Sequence, residues 1–337
     1  MRQNVYLVLA SLFVSMLAAE VALRIFGLGF PIEPDRELDH AHPVNYSYVA
    51  FSGTGDYSNF DVTFDEFGFR VCPSSSRAKT SIIMLGDSFV EAVQVPCEKS
   101  FVALVDSQVA ASGLSVRNLG VSSYSPLLSR LQFERLPDDI EPRACVHMLF
   151  SNDSTDDERY ASHGVRGASG EIIAVDNPES SSTWRKYLRS SYLVRLFNRA
   201  VILARESLWP TQSNYVRAAD GTYEDNNSLS DLTVREIRAL ERHCRERKSP
   251  YLLTCVPAEP KHGVQVPRRY CREARKMAQA NGIRFLDLDA EFARHPNAKK
   301  FFDSDIHFTE AGHAIVADAI VSELRAMGVI SSYERSH

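Results

Sequence analysis

Four short stretches of the chain hold side chains that could act on one another. Gly86-Asp87-Ser88-Phe89 follows the apolar run SIIML, Gly120 ends VRNLG, Ser151-Asn152-Asp153 follows CVHMLF, and FDSDIHFTEAGH carries Asp303, Asp305 and His307. A serine hydroxyl becomes a nucleophile when a base takes its proton, and the His307 imidazole can be that base for Ser88. The imidazole in turn needs an acceptor that fixes its tautomer and stabilises imidazolium. Asp305, two residues away, is the first candidate and Asp303 the second. Acyl transfer would then develop an oxyanion that needs preorganised donors, each typically worth about 2.7–4 kcal/mol of barrier. Three are expected: the Ser88 N–H at a strand-to-helix junction, the Gly120 N–H and the Asn152 side-chain amide. Each residue also has a plainer reading: His307 as a structural histidine, Gly120 as a turn glycine, Asn152 as a loop cap. Asp87 is expected to brace the serine turn, and His313 to be structural or exposed. The run Asp153, Asp156, Asp157 is expected to be a solvated loop, because it lacks the ligand spacing of a calcium loop.

The elements that must position these groups alternate. SIIML is an apolar run typical of a strand buried on both faces, and SVRNL, CVHMLF, YLLTCV and IRFLDL read as four further short strands. Helical spacing follows or precedes them at 100–111, 126–136, 232–247, 267–280 and 309–327. Strand and helix thus alternate from residue 81 onward, which predicts a three-layer α/β sandwich on a parallel sheet. Ligands of such sheets bind at the carboxyl ends of the strands, where the four stretches fall. Residues 154–230 break the alternation and are too long for an ordinary connection. They hold a basic-apolar helical pattern that reads as a lid, a substrate-facing insertion or a decorating helix. Ahead of the sandwich, residues 31–77 read as a polar stalk with a short hairpin around Val62, Phe64, Phe67 and Gly68.

The chain has 337 residues, 44% hydrophobic and 24% charged, enough to build a core and to exclude wholesale disorder. A net charge of −5 leaves no general basic field for a phosphate backbone, so a nucleic-acid partner is not expected. Val5 to Ala19 is uncharged, and the stretch to Phe30 is long enough to cross a bilayer core of ~30 Å. Arg2 precedes it and no acidic residue does, which orients the body outside the cytoplasm. A cleaved signal peptide is the alternative. Residues 1–30 are therefore an anchor or signal, 31–77 the stalk and 78–330 the α/β domain. Glu20 and Arg24 are four apart and can pair on one helix face. Of the six cysteines, Cys145 and Cys255 lie in apolar runs and read as core thiols. Cys72, Cys97, Cys244 and Cys271 could supply one or two bridges.

GDSF, the glycine of NLGVSSYSP, the asparagine of FSND and the histidine of DSDIHFTEAGH resemble, in order, the four blocks of the GDSL/SGNH hydrolases, over residues 81 to about 326. VTFDEFGFR and the N-terminal segment resemble membrane-anchored bacterial members. Two positions depart from the usual blocks. Phe150 stands two before Asn152 where glycine is common, and Ser304 replaces the aspartate of Asp-x-x-His, leaving an Asp-x-His form at Asp305. The resemblance implies a flavodoxin-like α/β/α fold and the hydrolysis or transfer of ester-linked acyl groups. It assigns Ser88 as nucleophile, His307 as base, and Gly120 and Asn152 as oxyanion donors, with no metal or organic cofactor. The expected activity is that of an extracytoplasmic, membrane-tethered serine esterase. Its substrate would be an acylated small molecule or, more specifically, an envelope polysaccharide. The alternatives are a polysaccharide O-acyltransferase using the same residues and a non-catalytic polysaccharide-binding relative.

Overall fold

The computed structural model describes residues 2–25, 32–50, 58–75, 78–177, 191–194, 196–197, 201, 215–217, 223–225, 227–257, 268–295, 301–302 and 306–330. In chain order, α1 is Arg2–Ile25, β1 Tyr46–Ala50, β2 Phe60–Phe64, β3 Arg70–Val71, β4 Thr80–Gly86, α2 Ser88–Glu91 and α3 Phe101–Val109. Then come β5 Ser115–Gly120, α4 Pro126–Glu134, β6 Glu141–Leu149, α5 Asp153–Ala161, α6 Asp231–Glu246 and β7 Tyr251–Cys255. The chain continues through α7 Arg269–Ala280, β8 Arg284–Leu286, α8 Leu288–Ala293 and α9 Glu310–Ala326. The main sheet has the order β8-β7-β6-β4-β5-β3-β2-β1.

Its first five members are parallel. Counted among themselves they run 2-1-3-4-5, the flavodoxin-like order, with the switch point between β4 and β6. Period-two geometry divides β4 between two cores. Ile82 and Met84 pack with α3, α8 and α9, whereas Ile83 and Leu85 pack with α4, α6 and α7. The sandwich and its mostly parallel sheet are therefore as expected from the alternating pattern.

Residues 32–75 differ from the expected stalk. The hairpin forms, with Thr63 opposite Val71, but β1, β2 and β3 continue the main sheet antiparallel, joining it where Arg70 pairs with Asn118. The cause is burial: Tyr48, Val62 and Phe64 form a core with Val93, which follows α2. An unpaired β5 edge would otherwise face water. The start of the expected insertion also belongs to the body. α5 and a hairpin of Gly164–Arg166 with Ile172–Val175 place Tyr160, Ile172 and Val175 against Leu127, Leu128 and Leu131. Most of the basic-apolar pattern beyond residue 177 lies outside the described residues.

Cys72 bonds to Cys97 and Cys255 to Cys271. Cys255, read as a core thiol, is bridged because it ends β7 where α7 crosses, with the two Cα atoms 5.6 Å apart. Cys244 is instead a free buried thiol, as is Cys145. The apolar span of α1 is not buried in the body, and Asn4–Ile25 is long and apolar enough to cross a membrane. The expected Glu20–Arg24 pair forms at 2.8 Å. Protein produced in an oxidising compartment and denatured without reductant should titrate two thiols per chain with a thiol reagent. Six would show that neither bridge forms.

Candidate active site

β4 ends at Gly86, whose φ of +151° and surroundings admit only glycine: a Cβ there would lie 2.7 Å from both Met148 O and Val90 Cγ2. Asp87 caps α2, its Oδ1 accepting the Phe89 N–H at 3.0 Å, as expected of a brace. Burial pushes its carboxyl up to about 7. Ser88 opens the helix, and its Oγ lies 2.9 Å from His307 Nε2. The two are brought together from opposite ends of the α/β domain.

The histidine is held by its flanks. Phe302 and Phe308 form a β-bridge, the Thr309 N–H donates to Phe301 O at 3.0 Å, and Thr309 caps α9. Ile306, immediately before His307, has φ +66°. A β-branched residue in that left-handed region costs roughly 1–2 kcal/mol, so the turn is imposed by its neighbours. The Phe89 ring joins the parts, with centroids 4.8 Å from His307, 4.9 Å from Phe150 and 5.0 Å from Phe308. Asp305 and Asp303, the expected partners of the imidazole, lie outside the described residues.

Asn152 stands at the N-cap position of α5 without a side-chain capping bond, and its Nδ2 donates to Asp156 Oδ2 at 2.7 Å. An amide nitrogen has two hydrogens, so one is left for a ligand. Gly120 is placed differently from expectation. Its N–H donates to Asn118 Oδ1 at 2.9 Å. A Cβ there would sit 2.2 Å from Glu91 N, so this glycine lets β5 pass against α2. The acidic run is not a solvated loop. Asp153, Asp156 and Asp157 are buried on α5 because each has donors. Asp153 takes the Phe150 N–H, Asp156 takes Asn152, and Asp157 takes the Leu127 N–H and the Thr233 hydroxyl. Burial raises all three carboxyls, Asp157 to about 7. His313 is structural and buried: the Phe101 N–H donates to its Nδ1 at 3.2 Å, and burial lowers its pKa to about 3.

Sequence reasoning missed the residues that hold α2. The helix has only four residues, and Ala92 ends it in the left-handed conformation at φ +58°. Its terminal carbonyls have no further turn to serve them. Arg70, itself buried, donates from Nη1 to Glu91 O and Ala92 O and from Nη2 to Val95 O. Asn118 Nδ2 donates to Val90 O at 2.9 Å. Glu91, fully buried, receives the Ser122 hydroxyl and meets His42 Nε2 at 2.7 Å, while His42 Nδ1 donates to Gly68 O. Asp65 aims Arg70: its Oδ1 accepts the Phe67 and Phe69 N–H groups around the turn at Gly68. The signal available in the sequence was the sole arginine of the alternating DEFGFR segment, at a position the pattern buries.

The profile of the GDSL-like lipase/acylhydrolase family matches residues 84–315, well over half of the chain. The chain belongs to this family. Among solved structures it is similar to a lipase/acylhydrolase from Enterococcus faecalis, at 15% identity, 76% of this chain, 99% of that one and a TM-score of 0.42. It is also similar to a GDSL-like lipase from Bacteroides thetaiotaomicron, at 13% identity, 76% and 93% coverage and a TM-score of 0.36. A third is the psychrotrophic esterase EstA from Pseudoalteromonas sp., at 9% identity, 73% and 97% coverage and a TM-score of 0.39. A search of curated proteins finds no match.

Two outcomes follow for this family member. Arg70→Ala strands three buried carbonyls and should cost about 3 kcal/mol of stability. Urea unfolding measures it, and an unchanged midpoint would show that the carbonyls find other donors. Asp157 holds a proton in the folded state between about pH 4 and 7 that the unfolded chain releases, so stability falls as pH rises through that window, by at most about 1.4 kcal/mol per pH unit. Asp157→Asn keeps an oxygen for the Leu127 N–H and removes the titration. Its stability relative to the parent should therefore improve from pH 4 to pH 8, and parallel profiles would refute the assignment.

Proposed function

We propose that the protein is a serine esterase, tethered outside the cytoplasm, that removes ester-linked acyl groups from an envelope or extracellular polysaccharide. The observation that carries the chemistry is the 2.9 Å contact between Ser88 Oγ and His307 Nε2 beside the sheet's switch point. Ser88 Oγ attacks the acyl carbonyl carbon while His307 Nε2 takes the hydroxyl proton. The oxyanion accepts the free hydrogen of Asn152 Nδ2 and the Ser88 N–H. Collapse breaks the ester C–O bond, and His307 returns its proton to the leaving sugar oxygen. Water, deprotonated by His307, then attacks the acyl-enzyme and releases the carboxylic acid and Ser88. Asp305 is the residue proposed to orient the imidazole, with Asp303 the second choice. Gly120 is left out of the oxyanion donors because its N–H already serves Asn118.

Location and substrate rest on further observations. An apolar helix long enough to cross a bilayer precedes the domain, Arg2 is its only flanking charge on the N-terminal side, and two disulfides suit an oxidising compartment. A hydrolase fixed there meets acylated polysaccharide rather than cytoplasmic esters.

Turnover of p-nitrophenyl acetate and labelling by a fluorophosphonate test the chemistry. Ser88→Ala should abolish both. His307→Ala should lower kcat at least about 10³-fold, and Asn152→Ala about 10²–10³-fold with KM little changed. Full activity of Ser88→Ala would end this reading. Transfer of the acetyl group to an added oligosaccharide, in place of release as acetate, would make the protein an O-acyltransferase.

A further inference from the structure

The C-terminal end of α1 carries a contact that the esterase reaction does not use. Ser191 Oγ donates to Glu20 Oε2 at 2.8 Å, and the N–H groups of Tyr192 and Leu193 donate to the same carboxylate at 3.0 and 2.9 Å. Glu20 therefore caps the helical stretch that begins at Tyr192, in the manner of an N-cap supplied by another element. The Arg24 guanidinium lies 5.2 Å from the centre of the Tyr192 ring and also bonds to Glu20. A helix of 24 residues is about 36 Å long, and a hydrocarbon core is about 30 Å thick. Glu20, five residues from the end of α1, thus falls where the core gives way to headgroups.

The stretch that begins there presents apolar side chains to its surroundings. Leu196, Phe197 and Val201 are 48%, 67% and 48% exposed. The sequence around them has the opposite charge balance to the whole chain. Residues 180–205 hold six arginines or lysines and no acidic residue, in a protein of net charge −5. Both tryptophans of the chain, Trp184 and Trp209, lie to either side of Leu196, Phe197 and Val201 in the sequence. Apolar face, basic flanks and bordering tryptophans are the composition of an element that lies in a membrane interface.

We infer that Leu196, Phe197 and Val201 lie in the outer headgroup region of the bilayer that α1 spans, their side chains toward the acyl chains, and that the basic composition of the segment draws it to anionic lipid. The occupant of this surface is lipid because the surface begins at the anchor itself, through the Glu20 cap, and because its charge complements anionic headgroups. The inference rests on the proposed role of α1 as an uncleaved anchor. It gives the enzyme a second foothold on the membrane.

The test uses the full chain in vesicles of phosphatidylcholine and phosphatidylglycerol containing spin-labelled phosphatidylcholine. Single cysteines introduced as Phe197→Cys, Val201→Cys, Phe13→Cys and Val165→Cys carry the fluorophore NBD. The native free thiols Cys145 and Cys244 are fully buried and do not compete. Labels at 197 and 201 should be quenched by shallow spin labels at least about twofold more than the label at 165. Removing phosphatidylglycerol should reduce that quenching. The label at 13 should be quenched by deep spin labels. Quenching at 13 with none at 197 and 201 beyond that at 165 would overturn the inference and leave the anchor standing. Absence of quenching at 13 as well would remove the anchor and the inference together. Quenching at 197 and 201 that ignores phosphatidylglycerol would overturn the role given to the basic residues.

Discussion

A helix of one turn cannot satisfy its own carbonyls, and the helix that carries Ser88 has one turn. Everything around it answers that constraint. Arg70 and Asn118 supply the missing donors, which requires β3 to lie beside β5 and so draws residues 32–75 into the sheet. Glycine at 86 and 120 follows from the same packing, because β4 and β5 pass too close to α2 and to Met148 for any Cβ. The Cys72–Cys97 bond fastens the strand end that carries Arg70 to the loop leaving α2. Ser88 is thus fixed from behind by a polar clamp and from below by the Phe89 ring.

The parallel half of this architecture was legible because its strands are buried on both faces. A run such as SIIML has no amphipathic interpretation, and its length excludes a helix. The serine, the asparagine and the histidine were legible because strand ends are where such folds expose side chains. The clamp was not. Arg70 and His42 serve α2 from 21 and 49 residues away, and nothing local marks a charged residue as destined for a carbonyl rather than for water. The misplaced acidic run has the same origin. Three aspartates in five residues suggest solvent, but Asp157 finds Thr233 across 76 residues of sequence. Gly120 shows the reverse: a glycine in the right block whose N–H is claimed by the asparagine two positions before it.

Several carboxyls crowd the region behind the site, and their proton content keeps this tolerable. Burial raises Asp87 and Asp157 to about 7, so near neutral pH each is only partly ionised, and it raises Asp153 as well. The fixed negative charge behind Ser88 is thereby lower than full ionisation would make it. Glu91 is met by His42 Nε2 and by the Ser122 hydroxyl. The polar interior around α2 consequently gives direction with less repulsion than fully ionised carboxylates would bring.

Ser88 and His307 are separated by 219 positions along the chain. Synthesis proceeds from the N-terminus, so Ser88 and its clamp emerge long before the histidine. The Ser88–His307 contact is therefore completed only once α9 and the turn at Ile306 have been made and packed against α2.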